Sequence, residues 1–271
     1  MLLKICLLGA SKRHEGFFNY LNERKIDCQR YYCFDDIPDT IDSDVIVFPI
    51  PTIKKGRLNI EGGPFDLLPE EIIERAQKNV ISVTCNYKTE NYKFFDLAHR
   101  DDFAYLNAVP TAEGAIRLAI DNSDRSISEQ NILITGFGRV GKILADRLRG
   151  LGCDVTVSAR SLKDIYYARA LNLKTLPLCI LAESIDRFDI IFQTVPTEIL
   201  NEKYLENMNE HSKIIELSSA MKGTDLIYAK AHGIEVIDGT ALPEKTAPFT
   251  AGYIWAETVL SIIREYGEAD E

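Results

Sequence analysis

The sequence lacks the long apolar runs that a membrane-spanning helix requires. No hydrophobic stretch approaches the roughly 18 residues needed to cross a bilayer. The apolar start at residues 1–9 is too short for a signal peptide with its cleavage site. The pattern therefore predicts a cytoplasmic protein with no membrane partner.

Basic residues are also scarce relative to acidic ones. The chain has 31 Lys and Arg against 41 Asp and Glu, a formal net charge of −10, which gives no electrostatic support for nucleic-acid binding. The 6 cysteines show no CxxC spacing, and several lie in or beside apolar runs. We therefore expect reduced, mostly buried thiols and no metal site.

Histidine is rare too, and the 4 that are present are not placed for alcohol oxidation. The 2-hydroxyacid dehydrogenases have two domains, a plan comparable to the one predicted below for this chain. Such an enzyme needs an imidazole to take the hydroxyl proton and an arginine to hold the α-carboxylate. No arginine follows the strand that ends at Leu217-Ser218-Ser219-Ala220, and Pro248-Phe249-Thr250 stands where the histidine would precede the last helix. These absences argue against hydroxyacid oxidation.

What the sequence does contain is a glycine turn between a strand pattern and a helix pattern. Gly136 permits a tight turn, Gly138 lets a pyrophosphate approach the backbone, and Gly141 lets the helix pack closely on the strand. Arg139 and Val140 are predicted to bind the cofactor together with these glycines, because the N-terminus of the helix that follows would face the phosphates. Because the motif has this strand–turn–helix context, it predicts a dinucleotide site.

The end of the second strand, 154–158, indicates which dinucleotide is bound. An NAD site places Asp or Glu there for the ribose 2′-hydroxyl, whereas this chain has Ala159, Arg160 and Ser161. A guanidinium matches the geometry of a 2′-phosphate, so we predict NADP. The alternative is that Arg160 is an exposed arginine at the start of the next helix.

The pattern of strands and helices predicts an α/β fold with two doubly wound parallel-sheet domains, the second a Rossmann dinucleotide-binding domain. We expect a flavodoxin-like substrate domain over 1–122, with the C-terminal helix 250–271 packing back on it, and the NADP-binding domain over 123–249. Within the first domain, the predicted strands are 2–8, 29–34, 44–50, 80–84 and 103–107, and the predicted helices are 14–24, 69–78 and 90–98. Segment 51–66 is predicted to be a long loop, either functional or disordered.

Polar residues at predicted strand ends are the candidates for the rest of the site. Thr194, Val195 and Pro196 follow strand 189–195 and would border the nicotinamide. Lys12 and Arg13 follow the first strand, where open α/β sheets bind ligands, and would suit an anionic substrate. The alternative for Lys12 and Arg13 is a solvated basic turn.

Several longer motifs are more specific than the glycine fingerprint. They are Asn107-Ala-Val-Pro110-Thr111-Ala-Glu113-Gly114, Gly136-Phe-Gly138-Arg139-Val-Gly141, Ala159-Arg160-Ser161, Gly223-Thr224-Asp225 and Leu242-Pro243-x-x-x-Ala247-Pro248-x-Thr250-Ala251-Gly252. Together and in this order they resemble the family of dipicolinate synthase A chains over nearly the whole length. The resemblance implies NADP⁺-dependent oxidation of a dihydrodipicolinate-type precursor, or its hydrated form, during bacterial sporulation. It also implies that the flavoprotein-like B chain of dipicolinate synthase is a partner.

The chain departs from the family pattern at two places. The family usually has Gly-Gly-Asp-x-Arg-Gln after the first strand, where this chain has Gly9-Ala10-Ser11-Lys12-Arg13-His14. It commonly has Pro-Gly where this chain has Met221-Lys222. Both departures bear on substrate geometry and leave the cofactor prediction unchanged.

The implied reaction needs little from the protein beyond positioning. Aromatising a dihydropyridine removes a hydride and a proton but deprotonates no alcohol, so a weak base suffices. Glu113 and Asp225 are the candidate catalytic carboxylates, although Glu113 is predicted in the first turn of a helix that begins at Pro110, where it could instead act as a cap. The candidate ligands of the two substrate carboxylates are Lys12, Arg13, Thr111, Ser218, Ser219, Thr224 and Thr250.

Two other functions stay open at this point. One is a different NADP-dependent oxidoreductase of a small carboxylic acid. The other is a non-catalytic NADP(H)-binding protein whose chemistry belongs to a partner. A homo-oligomer also stays open.

Overall fold

The structure, a computed structural model, describes residues 3–92, 94–218 and 222–269. The strands are β1 (Lys4–Leu8), β2 (Asp27–Tyr31), β3 (Val45–Val47), β4 (Ile53–Lys54), β5 (Arg57–Leu58), β6 (Ile81–Thr84), β7 (Phe94–Asp96), β8 (Asn131–Thr135), β9 (Asp154–Ala159), β10 (Lys174–Pro177), β11 (Ile190–Gln193), β12 (Lys213–Glu216) and β13 (Glu235–Asp238). The helices are α1 (Lys12–Glu23), α2 (Pro69–Ile73), α3 (Asp101–Asp121), α4 (Arg139–Gly150), α5 (Leu162–Ala170), α6 (Glu202–Leu205), α7 (Leu226–Ala231), α8 (Leu242–Thr246) and α9 (Pro248–Ala269).

The chain divides into two compact units. Unit 1 comprises Met1–Asn107 and Ala247–Glu271, and unit 2 comprises Ala108–Thr246. The predicted domains have other bounds, 1–122 with 250–271 and 123–249. The difference arises in α3, where Ala112, Ala115 and Ala119 pack into the core of unit 2. The bounds of the functional domains stay a prediction.

Unit 1 contains a five-stranded parallel sheet in the order β2-β1-β3-β6-β7. This is the flavodoxin-like order, whose switch point lies at the carboxyl ends of β1 and β3. Ile5 and Leu7 of the inner strand β1 pack with α1 and α9 on one face, and Cys6 and Leu8 pack with residues 37–72 on the other. Because both faces are buried, β1 is apolar throughout instead of alternating with polar residues.

Helices α1 and α9 of unit 1 cross in close contact, and each contributes a glycine to the crossing. A Cβ on Gly16 would lie 2.7 Å from the carbonyl oxygen of Phe249, and a Cβ on Gly252 would lie 2.3 Å from that of Arg13. Backbones can approach this closely only where no side chain intervenes. The two glycines therefore bring the N-terminal ends of α1 and α9 together.

Unit 2 contains a six-stranded parallel sheet in the order β10-β9-β8-β11-β12-β13. This is the Rossmann order. Successive strands are added on one side of β8 up to β10 and then on its other side from β11 onward, so the switch point lies between β8 and β11. Ile132 and Ile134 of β8 pack with α3 and α4 on one face, and Leu133 packs with α6 and α7 on the other. The predicted fold class of two parallel α/β sheets, the second a Rossmann sheet, is confirmed.

The predicted strand 103–107 is wrong, because these residues lie in α3. Phe103 is buried, whereas Tyr105 and Leu106 are 42% and 43% exposed. Alternate residues therefore do not share a buried face, as a strand would require. The helix continues past Pro110, so the prediction that a helix begins there is also wrong.

The predicted helix 90–98 is also wrong. Phe94–Asp96 forms the edge strand β7, followed by a 3-10 turn over Leu97–His99. The Asp96 carboxylate accepts the N–H groups of Asn86 and Ala98, which fixes the extended backbone before the turn. A short-range side-chain contact of this kind leaves no periodic signal in the sequence.

Three smaller differences concern short elements. Segment 51–66 contains the hairpin β4–β5, with Leu58 fully buried, and the predicted helix 69–78 is limited to α2. Strand β10 was not predicted, because its sequence Lys-Thr-Leu-Pro has no apolar pattern.

Among the described residues, the structure contains no helix that is long and apolar enough to span a membrane.

Candidate functional site

The glycine turn of unit 2 has the geometry of a dinucleotide-binding turn. Gly136 has a φ of 87°, a value that favours glycine, and its N–H donates to the carbonyl oxygen of Ser158 at 2.7 Å. A Cβ on Gly136 would lie 2.6 Å from Val195 Cγ2 and 2.8 Å from Thr194 Oγ1. The turn is therefore tied to the end of β9 and packed against the segment after β11.

Gly138 and Gly141 serve two other purposes. A Cβ on Gly141 would lie 2.5 Å from the carbonyl oxygen of Gly136, so this glycine allows α4 to pack on the turn. A Cβ on Gly138 would meet no protein atom within 4 Å. Gly138 is the N-cap of α4, whose first-turn N–H groups point out of the helix end. Open space beside these N–H groups fits a pyrophosphate.

The end of β9 presents a cation and no carboxylate. Ala159 is buried, whereas Arg160 and Ser161 are exposed. Ser161 is the N-cap of α5 but makes no capping hydrogen bond through its side chain. Over the described parts of the chain, the Arg160 guanidinium has no ion pair. Arg160 and Ser161 are therefore available to a ligand at this edge.

A row of polar side chains crosses the carboxyl edge of the Rossmann sheet. Ser158, Thr135, Gln193, Glu216 and Asp238 occupy one register position on β9, β8, β11, β12 and β13. The first four are fully buried. Thr194 and Val195, half-buried, and the exposed Pro196 follow directly after this row.

None of these five residues is among the predicted site residues, and Gln193 and Glu216 are the two whose side chains hold the loops at this edge. The signal that could have found them is a polar residue that ends an apolar strand, as in Ile-Ile-Phe-Gln of β11 and Lys-Ile-Ile-Glu of β12. Such a residue lies at the ligand-binding edge of a parallel sheet. Its burial could be known only from the packing of the loops above it.

Glu216 holds the described residues that follow β12, residues 217–218 and 222–225. Its carboxylate accepts the N–H of Ser218 at 3.0 Å and the hydroxyl of Thr224 at 2.6 Å. The Ser218 hydroxyl oxygen accepts the N–H groups of Lys222 and Gly223. Ser218 and Thr224 are only 2% and 4% exposed, so both hydroxyls are used within this segment. The predicted substrate ligand Ser219 lies outside the described residues.

The two candidate catalytic carboxylates occupy different settings. Asp225 is the N-cap of α7, and its carboxylate accepts the N–H groups of Ile227 and Tyr228. Glu113 is exposed and lies well inside α3, which begins at Asp101. Glu113 is therefore not in the first turn of its helix, and the capping alternative for it is wrong. Thr111 is half-buried in the same helix.

Three residues of unit 1 that are predicted to bind the substrate carboxylates, Lys12, Arg13 and Thr250, lie at the N-terminal ends of α1 and α9. Lys12 and Thr250 are exposed. Arg13 is 5% exposed, donates to Asn107 Oδ1 at 3.1 Å, and has its guanidinium over the rings of Phe103 and Trp255.

His14 lies beside Arg13 in a buried position. Its Nδ1 hydrogen-bonds with the Ser11 hydroxyl at 2.8 Å. Burial lowers the pKa of His14 to about 3, with a further contribution from the charges of Arg30 and Arg13. The imidazole is therefore neutral at pH 7, and the local positive charge comes from the arginines and Lys12.

Unit 2 and the whole chain both resemble known proteins. Residues 109–229 match the family model described as D-isomer specific 2-hydroxyacid dehydrogenase, NAD binding domain. The dipicolinate synthase A chain of Bacillus subtilis (strain 168) is 35% identical over 288 residues, covering 97% of this chain and 96% of that protein.

Two solved structures extend the likeness to the fold. The A chain of dipicolinate synthase from Bacillus halodurans has a TM-score of 0.85 at 25% identity, over 97% of this chain and 98% of that chain. The A chain of dipicolinate synthase from Bacillus subtilis has a TM-score of 0.85 at 27% identity, over 100% and 98%. The residues that match the family model include the glycine turn, Arg160 and Thr194–Pro196, so unit 2 is a nicotinamide-dinucleotide-binding domain of the dehydrogenase type.

Proposed function

This chain belongs to the family of dipicolinate synthase A chains, and on that premise we propose that it oxidises dihydrodipicolinate, or its hydrated precursor, to dipicolinate with NADP⁺. The observation that carries the proposal is the 35% identity along 97% of the chain. The cellular setting we propose is the cytoplasm of a sporulating bacterium.

The choice of NADP(H) over NAD(H) rests on Arg160. A carboxylate at the end of β9 would bind a ribose 2′-hydroxyl and repel a 2′-phosphate, whereas an exposed guanidinium attracts the phosphate. One charge-assisted hydrogen bond contributes about 1.5–3 kcal/mol, which is about tenfold or more in affinity. Arg160 therefore accounts for a clear preference for NADP⁺.

Calorimetric titration of both dinucleotides tests this assignment. Arg160→Ala should lose about tenfold or more in affinity for NADP⁺ and little for NAD⁺. Arg187→Ala is the matched control, because Arg187 is an exposed arginine of unit 2 near Asn131 and Asp154, at the amino ends of β8 and β9. Equal affinities of the wild type for the two dinucleotides would rule out the assignment.

The proposed reaction removes a hydride and a proton from the dihydropyridine ring. From dihydrodipicolinate the products are the aromatic dicarboxylate, NADPH and one proton, and the hydrated precursor would lose one water as well. The oxidised nicotinamide, when bound, would supply the hydride acceptor. Aromatisation provides much of the driving force, which leaves the protein to orient the substrate and remove a weakly held proton. No alcohol is deprotonated, so the proposed reaction needs no histidine as a base.

We assign the base to Glu113 in preference to Asp225. The Asp225 carboxylate already accepts two backbone N–H groups as a helix cap, and protonating it would weaken both bonds. Glu113 is exposed and has no capping duty. A carboxylate of this kind can accept the ring proton and release it to water.

We propose that Lys12 and Thr250 are the main ligands of the substrate carboxylates. Both are exposed and lie at neighbouring helix N-termini. Arg13 adds positive charge from a buried position, and Thr111 is a further candidate. The hydroxyls of Ser218 and Thr224 are engaged in hydrogen bonds with Gly223 and Glu216, so we propose that these two residues contribute by holding the main chain of Gly223. The relative from Bacillus subtilis is one subunit of dipicolinate synthase. We therefore propose that the partner of this chain is the flavoprotein-like B chain of dipicolinate synthase.

A turnover assay tests the proposal as a whole. The purified chain, with and without the B chain, is given freshly generated dihydrodipicolinate and NADP⁺, and both NADPH and the aromatic product are followed. We expect the two products to appear in equal amounts. Oxidation of simple 2-hydroxy acids, with no dipicolinate formed even when the B chain is present, would refute the proposal in favour of a different NADP-dependent oxidoreductase.

A further inference from the structure

Gln193 is a fully buried residue that ends β11, beside the switch point of the Rossmann sheet. Burying a polar side chain costs free energy unless its polar atoms have partners. Both polar atoms of Gln193 have them, and the partners belong to three different segments of unit 2. A side chain with this set of contacts can hold the three segments at a defined spacing.

The hydrogen bonds of Gln193 identify the segments. Its Oε1 accepts the hydroxyl of Thr135 and, at 3.0 Å, the N–H of Val195. Its Nε2 donates to the carbonyl oxygen of Gly223 at 2.7 Å. Thr135 directly precedes the glycine turn, Val195 lies after β11, and Gly223 lies in the turn after β12. One side chain thus joins the carboxyl ends of β8, β11 and β12.

Close packing reinforces these hydrogen bonds. A Cβ on Gly223 would lie 2.5 Å from Cγ of Gln193, so the backbone of Gly223 rests directly on the glutamine. On the other side, Thr194 Oγ1 donates to the carbonyl oxygen of Thr135 at 2.7 Å, and Val195 is packed against Gly136. The spacing between Gly136, Val195 and Gly223 therefore depends on Gln193.

We propose that Gln193 is a positioning residue for the nicotinamide half of the dinucleotide. A Rossmann sheet binds one mononucleotide half on each side of its switch point, with the pyrophosphate at the glycine turn. The ends of β11 and β12 belong to the half opposite Arg160. Gln193 has no exposed surface, so it acts through the main chain of Val195 and Gly223. The inference rests on the proposed function, because it requires a bound dinucleotide.

The test compares NADP⁺ with adenosine 2′,5′-bisphosphate, which lacks the nicotinamide half. Gln193→Met keeps the side-chain volume and removes all three hydrogen bonds, and Gly223→Ala displaces the glutamine from the opposite side. We expect each variant to weaken NADP⁺ binding by about tenfold or more, the effect of one or two lost hydrogen bonds. Binding of the bisphosphate should change by less than about twofold.

Ser212→Ala is the control for a general loss of stability. Ser212 is buried and donates to the carbonyl oxygen of Phe188 at 2.6 Å, near the amino ends of the same strands β11 and β12. This variant should unfold more readily than the wild type but bind both ligands unchanged. A purely structural role for Gln193 would give the same result as Ser212→Ala.

The outcomes separate this inference from the proposed function. A wild-type chain that binds neither ligand overturns the NADP assignment and the inference together. A wild-type chain that binds both, with variants that lose affinity for both equally or for neither, overturns the inference alone. Selective loss of NADP⁺ binding in either variant supports it.

Discussion

Replacing Gly138 separates dinucleotide binding from folding. Gly138 has φ −77° and ψ −159°, an extended conformation that valine adopts readily. A Cβ at this position meets no protein atom within 4 Å. Gly138→Val should therefore fold, with a stability cost of about 1 kcal/mol or less from a poorer N-cap.

The effect on binding should be much larger. The branched side chain would occupy the space through which a pyrophosphate reaches the first-turn N–H groups of α4. Losing two charge-assisted hydrogen bonds, each of about 1.5–3 kcal/mol, amounts to about 3–6 kcal/mol. The dissociation constant for NADP⁺ should rise by about a hundredfold or more.

Two other glycines complete the experiment, which combines calorimetric titration with urea unfolding. Gly141→Ala brings a Cβ to within 2.5 Å of Gly136 O and should cost about 1–3 kcal/mol of stability. Gly150 lies at the far end of α4, where a Cβ would meet no atom within 4 Å. Gly150→Ala should therefore lower neither the affinity for NADP⁺ nor the free energy of unfolding. If Gly138→Val folds and binds NADP⁺ like the wild type, the assignment of this turn to the pyrophosphate is wrong.

Three further predictions address stability and catalysis. Gly252→Ala forces a Cβ to within 2.3 Å of Arg13 O at the crossing of α1 and α9 and should lower the free energy of unfolding in urea by about 1–3 kcal/mol; an unchanged midpoint would contradict the close crossing. His14 has a pKa of about 3 when folded against an ordinary 6.5, so the unfolded chain binds the proton first and stability falls as pH drops below about 6.5. Between about pH 7.5 and 5.5 the wild type should therefore lose about 1.4 kcal/mol more than His14→Gln, and equal losses would argue against a neutral buried imidazole. Glu113→Gln should lower kcat by about a hundredfold if it removes the base, with unchanged NADP⁺ affinity and unfolding midpoint, whereas unchanged turnover would assign the proton transfer elsewhere.

Local sequence carried enough information to predict the inner strands of both sheets and the glycine turn, although not the edge strands β7 and β10. The apolar runs of β1 and β8 report burial on both faces of a parallel sheet, which is a property of each strand by itself. Gly136, Gly138 and Gly141 specify a turn whose requirements are met within a few residues. The position of Arg160 at the end of β9 could be located from the sequence because it follows directly after the strand.

Residues whose role depends on distant partners could not be assigned in this way. The sequence around Phe103 predicts a strand. Phe103 is buried and Tyr105 is exposed because of tertiary packing, and this contrast leaves no signal in the local sequence. The sequence predicts Asp225 as a candidate catalytic carboxylate, and only the structure shows that its side chain caps α7.

The buried polar row at the carboxyl edge of the Rossmann sheet shows the same limit most clearly. Sequence alone determined that β11 and β12 are apolar strands ending in Gln193 and Glu216. Only the tertiary structure decided that these side chains lie in register with Thr135 and are fully buried, with partners up to 58 residues away in the chain. Hydrogen bonds between neighbouring parallel strands join residues separated by a whole crossover, so no local pattern can encode them.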